Sequence, residues 1–379
     1  MAQTDTQAVK AAFGGMIAMA VGIGIGRFVY TPILPPMIAA LGLSKATAGL
    51  IASANFAGYL VGALGAARAP LPGSRRWWLL GALAFSALTT GAMGLDGGVG
   101  WFLAMRFFGG VASALVLILA SASVMDRLAA AGRPGLSAVH FAGVGVGIAV
   151  SAVLVTSVTS WEAMWRASGI ASAIGLVVIG FILPSEADQS AAPAVAGSLA
   201  RDPRLRRMTM AYGLFGFGYV ITATFLVAIV RAEVPALEPA IWIMVGLGAA
   251  PSVWLWGILG RRIGTARAFA VAAVIEALGV LASVASSGAL AVSLGAVLLG
   301  GTFMGLTALG LTRARELARG DARRAMAAMT GAFGVGQIVG PLVAGVLSDA
   351  LGGFLVPSAL AAAGLVVAGW LAYPVAPDG

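Results

Sequence analysis

The chain has 379 residues, of which 60% are hydrophobic and 10% charged. Soluble domains carry about 25% charged residues, so this composition excludes an aqueous surface over most of the chain. The net charge of +9 would suit nucleic acid, but the cations lie between apolar stretches, and the absence of cysteine excludes disulfides and thiolate metal sites.

A membrane span needs about 20 apolar residues to cross a ~30 Å hydrocarbon core. Twelve such stretches occur in order, at 12–38, 46–67, 77–96, 99–122, 134–159, 163–183, 208–230, 239–259, 266–286, 289–311, 325–348 and 353–374. The first could pass for a signal peptide, because Lys10 precedes apolar residues that include Ala18-Met19-Ala20. It runs far past the short core of a signal and more spans follow, so it reads as an uncleaved helix. The longest polar break, 184–207, follows the sixth span. It is expected to be a cytoplasmic linker between an N-terminal six-helix half, 1–183, and a C-terminal half, 208–379.

Basic residues segregate between alternate connections. One set holds 18 of them, from Lys10 to Arg324; the other holds only Lys45, Arg166 and Arg231. Positive charge marks the cytoplasmic side, so both termini are expected there, in a bacterial inner membrane. The halves also resemble each other. A shift of 192 sets Gly24-Ile25-Gly26-Arg27 over Gly216-Phe217-Gly218-Tyr219. A shift of 191 sets Gly143-Val144-Gly145 over Gly334-Val335-Gly336 and Gly109-Gly110 over Gly300-Gly301. Parallel six-helix repeats are the arrangement of major facilitator halves, with a solute site near the midplane.

Gly22–Met37 reads GIGIGRFVYTPILPPM. This resembles the opening helix of the YbfB/YjiJ family of major facilitator transporters, with its G-x-G-R-F-x-Y-T-P-I-L-P-like signature. The superfamily loop motif G-x-L-a-D-R-x-G-R-R is degenerate, as Gly257-Ile258-Leu259-Gly260-Arg261-Arg262-Ile263-Gly264 and as Gly62-Ala63-Leu64-Gly65, and both copies lack its aspartate. The resemblance implies an all-α integral membrane fold of twelve transmembrane helices in two six-helix pseudo-repeats, but names no substrate.

Polar groups inside spans are costly and usually face a cavity or a partner. Arg27 lies about fourteen residues from the inner end of span 1, or ~21 Å, and Arg106 lies ~10 Å below the outer end of span 4. The family arrangement would turn both, with the nearby Tyr30, toward the cavity, where two guanidiniums make a fork for a carboxylate, sulfonate or phosphate. The competing reading is that they bond carbonyls loosened by Pro32, Pro35 and Pro36, or snorkel outward. Asn55, Tyr219 and Gln337 lie near mid-membrane and are candidates for solute contact or for hydrogen bonds between helices. Tyr219 stands out because it occupies the repeat position of Arg27. His140, the single histidine, and Glu276, the one carboxylate deep in a span, are candidates for proton coupling. Family geometry places Glu276 on an outer helix, where it would pair with an arginine or be protonated in lipid.

Glycine spacing in span 1 is not a nucleotide motif, since it follows no strand and no Walker lysine exists. Trp77, Trp78, Trp101 and Trp161 sit at span ends, as interfacial anchors do. No nucleophile, acid–base pair or metal cluster points to an enzyme, and no cofactor is expected. The expected function is a secondary active transporter of a small solute, an organic anion, working by alternating access. The alternative is a drug or metabolite efflux transporter. A non-transporting membrane sensor is a third class, disfavoured by the short termini. The expected partners are a small-molecule solute, the lipid bilayer and a coupling proton or counter-substrate, with no nucleic acid, and the chain is expected to act as a monomer.

Overall fold

A computed structural model describes residues 2–68, 72–183, 202–285, 288–318 and 322–374. Most of the expected linker, 184–201, with Arg201, lies outside the described residues, as does Arg319. The helices are α1 (Ala2–Met19), α2 (Tyr30–Leu41), α3 (Lys45–Arg68), α4 (Arg75–Ala92), α5 (Gly98–Ala130), α6 (Ser137–Thr156) and α7 (Trp161–Ile182). They continue with α8 (Pro203–Glu233), α9 (Glu238–Ile263), α10 (Thr265–Ala282), α11 (Ala289–Leu317), α12 (Ala322–Leu351) and α13 (Leu355–Ala372). Helices α1 and α2 are two pieces of one span, Asp5–Leu41. Among the described residues, eleven spans are long and apolar enough to cross a membrane. The twelfth, expected at 77–96, is α4. It has the length, but Arg75, Arg76, Trp77 and Trp78 in its first turn dilute its hydropathy. The protein is a multi-pass membrane protein.

The chain forms two compact units, one of Met1–Gly42 and Ala54–Ala191, the other of Leu43–Ser53 and Ala192–Gly379. In the first unit α1 lies against α5 and α6, while α4 packs between α5 and α7. In the second, α8 packs against α12 and α13, α11 against α9 and α10, and α10 against α13. The first turns of α3 belong to this second unit. There Asp349 accepts from the backbone N–H groups of Lys45 (3.0 Å) and Ala46 (2.8 Å), satisfying donors that a helix start leaves open.

Glycine sets how closely these helices approach, as expected of membrane helix seams. A Cβ on Gly24 would stand 2.5 Å from the Gly147 Cα, and one on Gly143 would overlap the Met16 carbonyl. The second unit repeats the device at a slightly different register. Gly336 abuts the Gly213 carbonyl and Gly340 abuts Phe217, so they take, 193 residues on, the roles of Gly143 and Gly147. Gly300 packs on the Val245 carbonyl as Gly110, 190 residues earlier, packs on that of Asn55. The nearly constant offset of 191 to 192 read from the sequence therefore drifts further from helix pair to helix pair. Connections of unequal length absorb the difference, because packing constrains helices and not loops.

One expectation about packing changes. Trp161 is buried, with its ring edge-on to Phe102 at 5.8 Å, and is not an interfacial anchor. Trp77 is exposed as an anchor should be.

Candidate functional site

Among the described residues, the π-helical break within a membrane span lies in the first span. Between α1 and α2 the chain widens into a π-helix at Ala20–Ile25, and Gly26–Val29 then form turns. Gly26 N–H reaches back to the Val21 carbonyl at 2.9 Å, five residues earlier. Prolines 35 and 36, inside α2, remove further donors, and Gly42, at φ 61°, ends that helix. π-bulges are frequent at functional sites, and non-helical backbone at membrane depth survives only where protein or a cavity satisfies it.

Arg106, from α5, satisfies part of it. Its Nη1 donates to the Gly26 carbonyl (3.2 Å) and its Nη2 to the Arg27 carbonyl (2.9 Å). The guanidinium also lies 5.0 Å from the Tyr30 ring centroid and 5.9 Å from that of Trp165. Trp165 in turn donates its indole N–H to the Met37 sulfur at 3.2 Å. The fork foreseen for a solute is thus turned onto main-chain carbonyls, the structural alternative for this residue.

Arg27 sits differently. Its guanidinium carbon lies 4.3 Å from the Tyr59 ring centroid, 4.8 Å from Phe56 and 5.6 Å from Phe28. The residue is only 6% exposed, and its Nε and Nη2 have no hydrogen-bond partner. Among the described residues no ion pair includes Arg27 or Arg106. Two cations therefore share a buried region in which no described anion pairs with them. The rings stabilise Arg27 by about 0.5–2 kcal/mol each at most, which does not replace a counter-charge.

Asn55 closes this group from α3, donating to the Arg106 carbonyl at 2.9 Å while its Oδ1 stays unpaired. Thus Arg27, Tyr30, Asn55 and Arg106 come together in the first unit. Sequence reasoning missed Phe56, Tyr59 and Trp165. Tyr59 was accessible to it, because it lies one helical turn beyond Asn55 on the same face.

The other candidates lie elsewhere. Gln337 donates to the Tyr219 hydroxyl in the second unit. There the Tyr219 ring is stacked near-parallel on Phe303 (5.7 Å) and Phe333 (5.8 Å). His140 lies in the first turn of α6, fully buried in the first unit, with Nε2 3.0 Å from the Ser121 hydroxyl. Gly15 of α1 makes room for the imidazole, since a Cβ there would run into Nδ1. Glu276 is fully buried in α10 and neither faces lipid nor pairs with an arginine among the described residues.

A family profile described as "Uncharacterised MFS-type transporter YbfB" matches residues 19–373. No curated protein matches the chain. Among solved structures, the nucleoside transporter NupG is similar at 17% identity with a TM-score of 0.70, covering 96% of this chain and 97% of that one. A bacterial homologue of the human lysosomal transporter Spinster, inward-facing and occupied, is similar at 13% identity with a TM-score of 0.74, covering 96% and 95%. Likeness at this level of identity concerns the fold.

Proposed function

This chain belongs to the YbfB-type family of major facilitator transporters, and on that footing we propose that it is a secondary active transporter of a small organic anion. The observation that carries the proposal is Arg27, a cation with buried, unpaired donors and, among the described residues, no carboxylate in an ion pair with it. An uncompensated buried charge is strongly unfavourable. A carboxylate, sulfonate or phosphate entering the region supplies the missing charge and accepts from Nε and Nη2 as a planar, bidentate pair. Asn55 adds polar capacity, and the rings of Phe56 and Tyr59 give the solute an apolar flank. Arg106 braces the broken backbone that presents Arg27 and is a positioning residue in this reading.

Transport follows alternating access driven by a solute or ion gradient. The arginine bias of the connections supports an inner membrane location with both termini in the cytoplasm.

The test is thermal unfolding of the detergent-purified protein with a panel of organic anions, amines, nucleosides and other neutral metabolites, repeated on Arg27→Gln. A ligand at a hundredfold excess over its Kd stabilises the folded state by about 2.7 kcal/mol. Anions are expected to raise the melting temperature of the wild type and not of Arg27→Gln, whose unliganded melting shows that it folds. Stabilisation by amines or neutral compounds alone, nucleosides included, would overturn the anion reading and leave the transporter assignment standing.

A further inference from the structure

The first unit carries a groove that plays no part in the anion site. It lies between α4 and α5 and has a volume of about 460 Å³, within the roughly 300–1,000 Å³ of small-molecule sites. Small residues open it: Gly81 and Ala82 of α4 and Ala112 of α5. Aromatic rings flank them, those of Trp77, Trp78 and Phe85. A Cβ on Gly81 would meet nothing within 4 Å, so the groove is open above that position. The Trp78 ring is pinned at one end, where its indole N–H donates to the Pro72 carbonyl at 2.8 Å.

The groove opens toward lipid. Trp77, Gly81, Phe85 and Leu88 are exposed at helical spacing and form the outward stripe of α4. Its length fits one leaflet. Ser74 and Phe85 mark its ends on α4, eleven residues apart, or ~16 Å of helix. Half of a ~30 Å hydrocarbon core is ~15 Å. The groove therefore runs from headgroup level to about the midplane. At its deep end Phe85 stands edge-on to Phe108 of α5, with ring centroids 6.0 Å apart. A helix of a second copy would follow α4 through both leaflets and would not be matched by a groove that ends half-way.

The polar end has the matching charge. Ser74 is the hydroxyl-bearing residue of the lining, and Arg75 and Arg76 follow it. Arg75 pairs with Asp126 at 2.9 Å. Arg76 donates to the main-chain carbonyls of Gly180 and Leu183, and no described carboxylate pairs with it, so this end keeps a net positive charge. Cations at this level attract lipid phosphates.

We propose that this groove seats one acyl chain of a phospholipid, with the phosphate at the level of Ser74, Arg75 and Arg76. The lipid comes from the leaflet on the arginine-rich side, the cytoplasmic one in the topology given above. The chain fills the space over Gly81, between the tryptophans and Phe85. The inference is independent of which solute is carried.

The experiment is native mass spectrometry of the intact protein after detergent exchange, with melting temperatures of the delipidated protein before and after adding back dioleoyl phosphatidylglycerol. The variant is Gly81→Leu, which puts a side chain into the groove without touching its neighbours. The control is Gly100→Leu at the outer end of α5, where a Cβ also meets nothing within 4 Å. The wild type and Gly100→Leu should each retain one phospholipid, and added lipid should raise their melting temperatures, as a ligand of the folded state does. Gly81→Leu should retain none, melt at least as high as the delipidated wild type, and shift less than half as far. Equal retention and equal shifts in Gly81→Leu and the wild type would overturn the proposal. So would a wild type that keeps no phospholipid and does not respond to it. A shift as large with oleate as with the phospholipid would remove the role given to the phosphate and overturn it as well. The anion reading is tested separately, by melting shifts with soluble anions at Arg27.

Discussion

Arg106 donates through Nη2 to the main-chain carbonyl of Arg27 at 2.9 Å, so one buried arginine holds the backbone that carries the other. The pair divides its labour. Arg106 spends both terminal nitrogens on carbonyls of the broken first span, while Arg27 keeps Nε and Nη2 unpaired. The two residues should therefore respond differently to substitution.

Replacing Arg106 with Ala leaves the Gly26 and Arg27 carbonyls without their Arg106 donors, at about 1–3 kcal/mol each. Arg106→Lys restores the charge but not the planar fork, so it should recover less than half of the loss. Melting temperature in detergent without ligand is the readout. It should fall clearly for Arg106→Ala and little for Arg27→Gln. Equal losses at both positions would place Arg27 in the structural brace as well.

The Tyr219–Gln337 pair gives a second measurement. Tyr219→Phe keeps the ring stack on Phe303 and Phe333 and removes the hydroxyl that accepts from Gln337. The variant should lose about 1–3 kcal/mol, because the buried amide donor is stranded. In a double-mutant cycle with Gln337→Leu the coupling should be about 0.5–3 kcal/mol. A coupling near zero would mean that the hydrogen bond is dispensable, leaving the amide free for other contacts.

Asp349 provides a local test. It accepts from two N–H groups at the start of α3, and Lys45 Nζ donates to the adjacent Ser348 carbonyl at 3.3 Å. Asp349→Ala removes the cap, at about 0.5–2 kcal/mol. Hydrogen exchange should therefore speed up in peptides covering 43–53 and not in those covering 54–67. Unchanged exchange over 43–53 would show that the cap contributes nothing to holding these turns.

Spans and family were legible in the sequence because both rest on patterns that the bilayer enforces. Hydropathy located the helices, and the Gly22–Met37 signature named a family that the profile over residues 19–373 matches. Rise per residue was enough to set Arg27 and Arg106 at one level. Their hydrogen bonds were not legible, because the π-helix at Ala20–Ile25 depends on what α5 and α6 press against it. Periodicity carries no record of that. Glu276 was misjudged for a related reason. Helix order says which helices are peripheral, but only packing says which face of a peripheral helix turns inward. At the seam glycines the register of the repeat was legible to within two residues, while their partners on the first helix of each unit, Met16 and Gly213, lie 197 apart against the 192 read from the sequence.

Those seams yield the remaining prediction. A Cβ at Gly147 would overlap the Ala20 carbonyl, which begins the π-helix, and Gly24, further along the same π-helix, also abuts the Gly147 backbone. Neither neighbour is a flexible side chain that could swing away, so the two backbones must separate. Overpacking of this kind costs about 1–3 kcal/mol. Separation here also shifts the segment whose carbonyls Arg106 holds. Gly147→Ala should lower the melting temperature and weaken anion-induced stabilisation together. Gly65→Ala is the control, because a Cβ there meets nothing within 4 Å. Relieving a glycine in a helix should stabilise it by about 0.5–1 kcal/mol. If Gly147→Ala melted no lower than Gly65→Ala, close approach at this seam would not be what fixes the break in the first span.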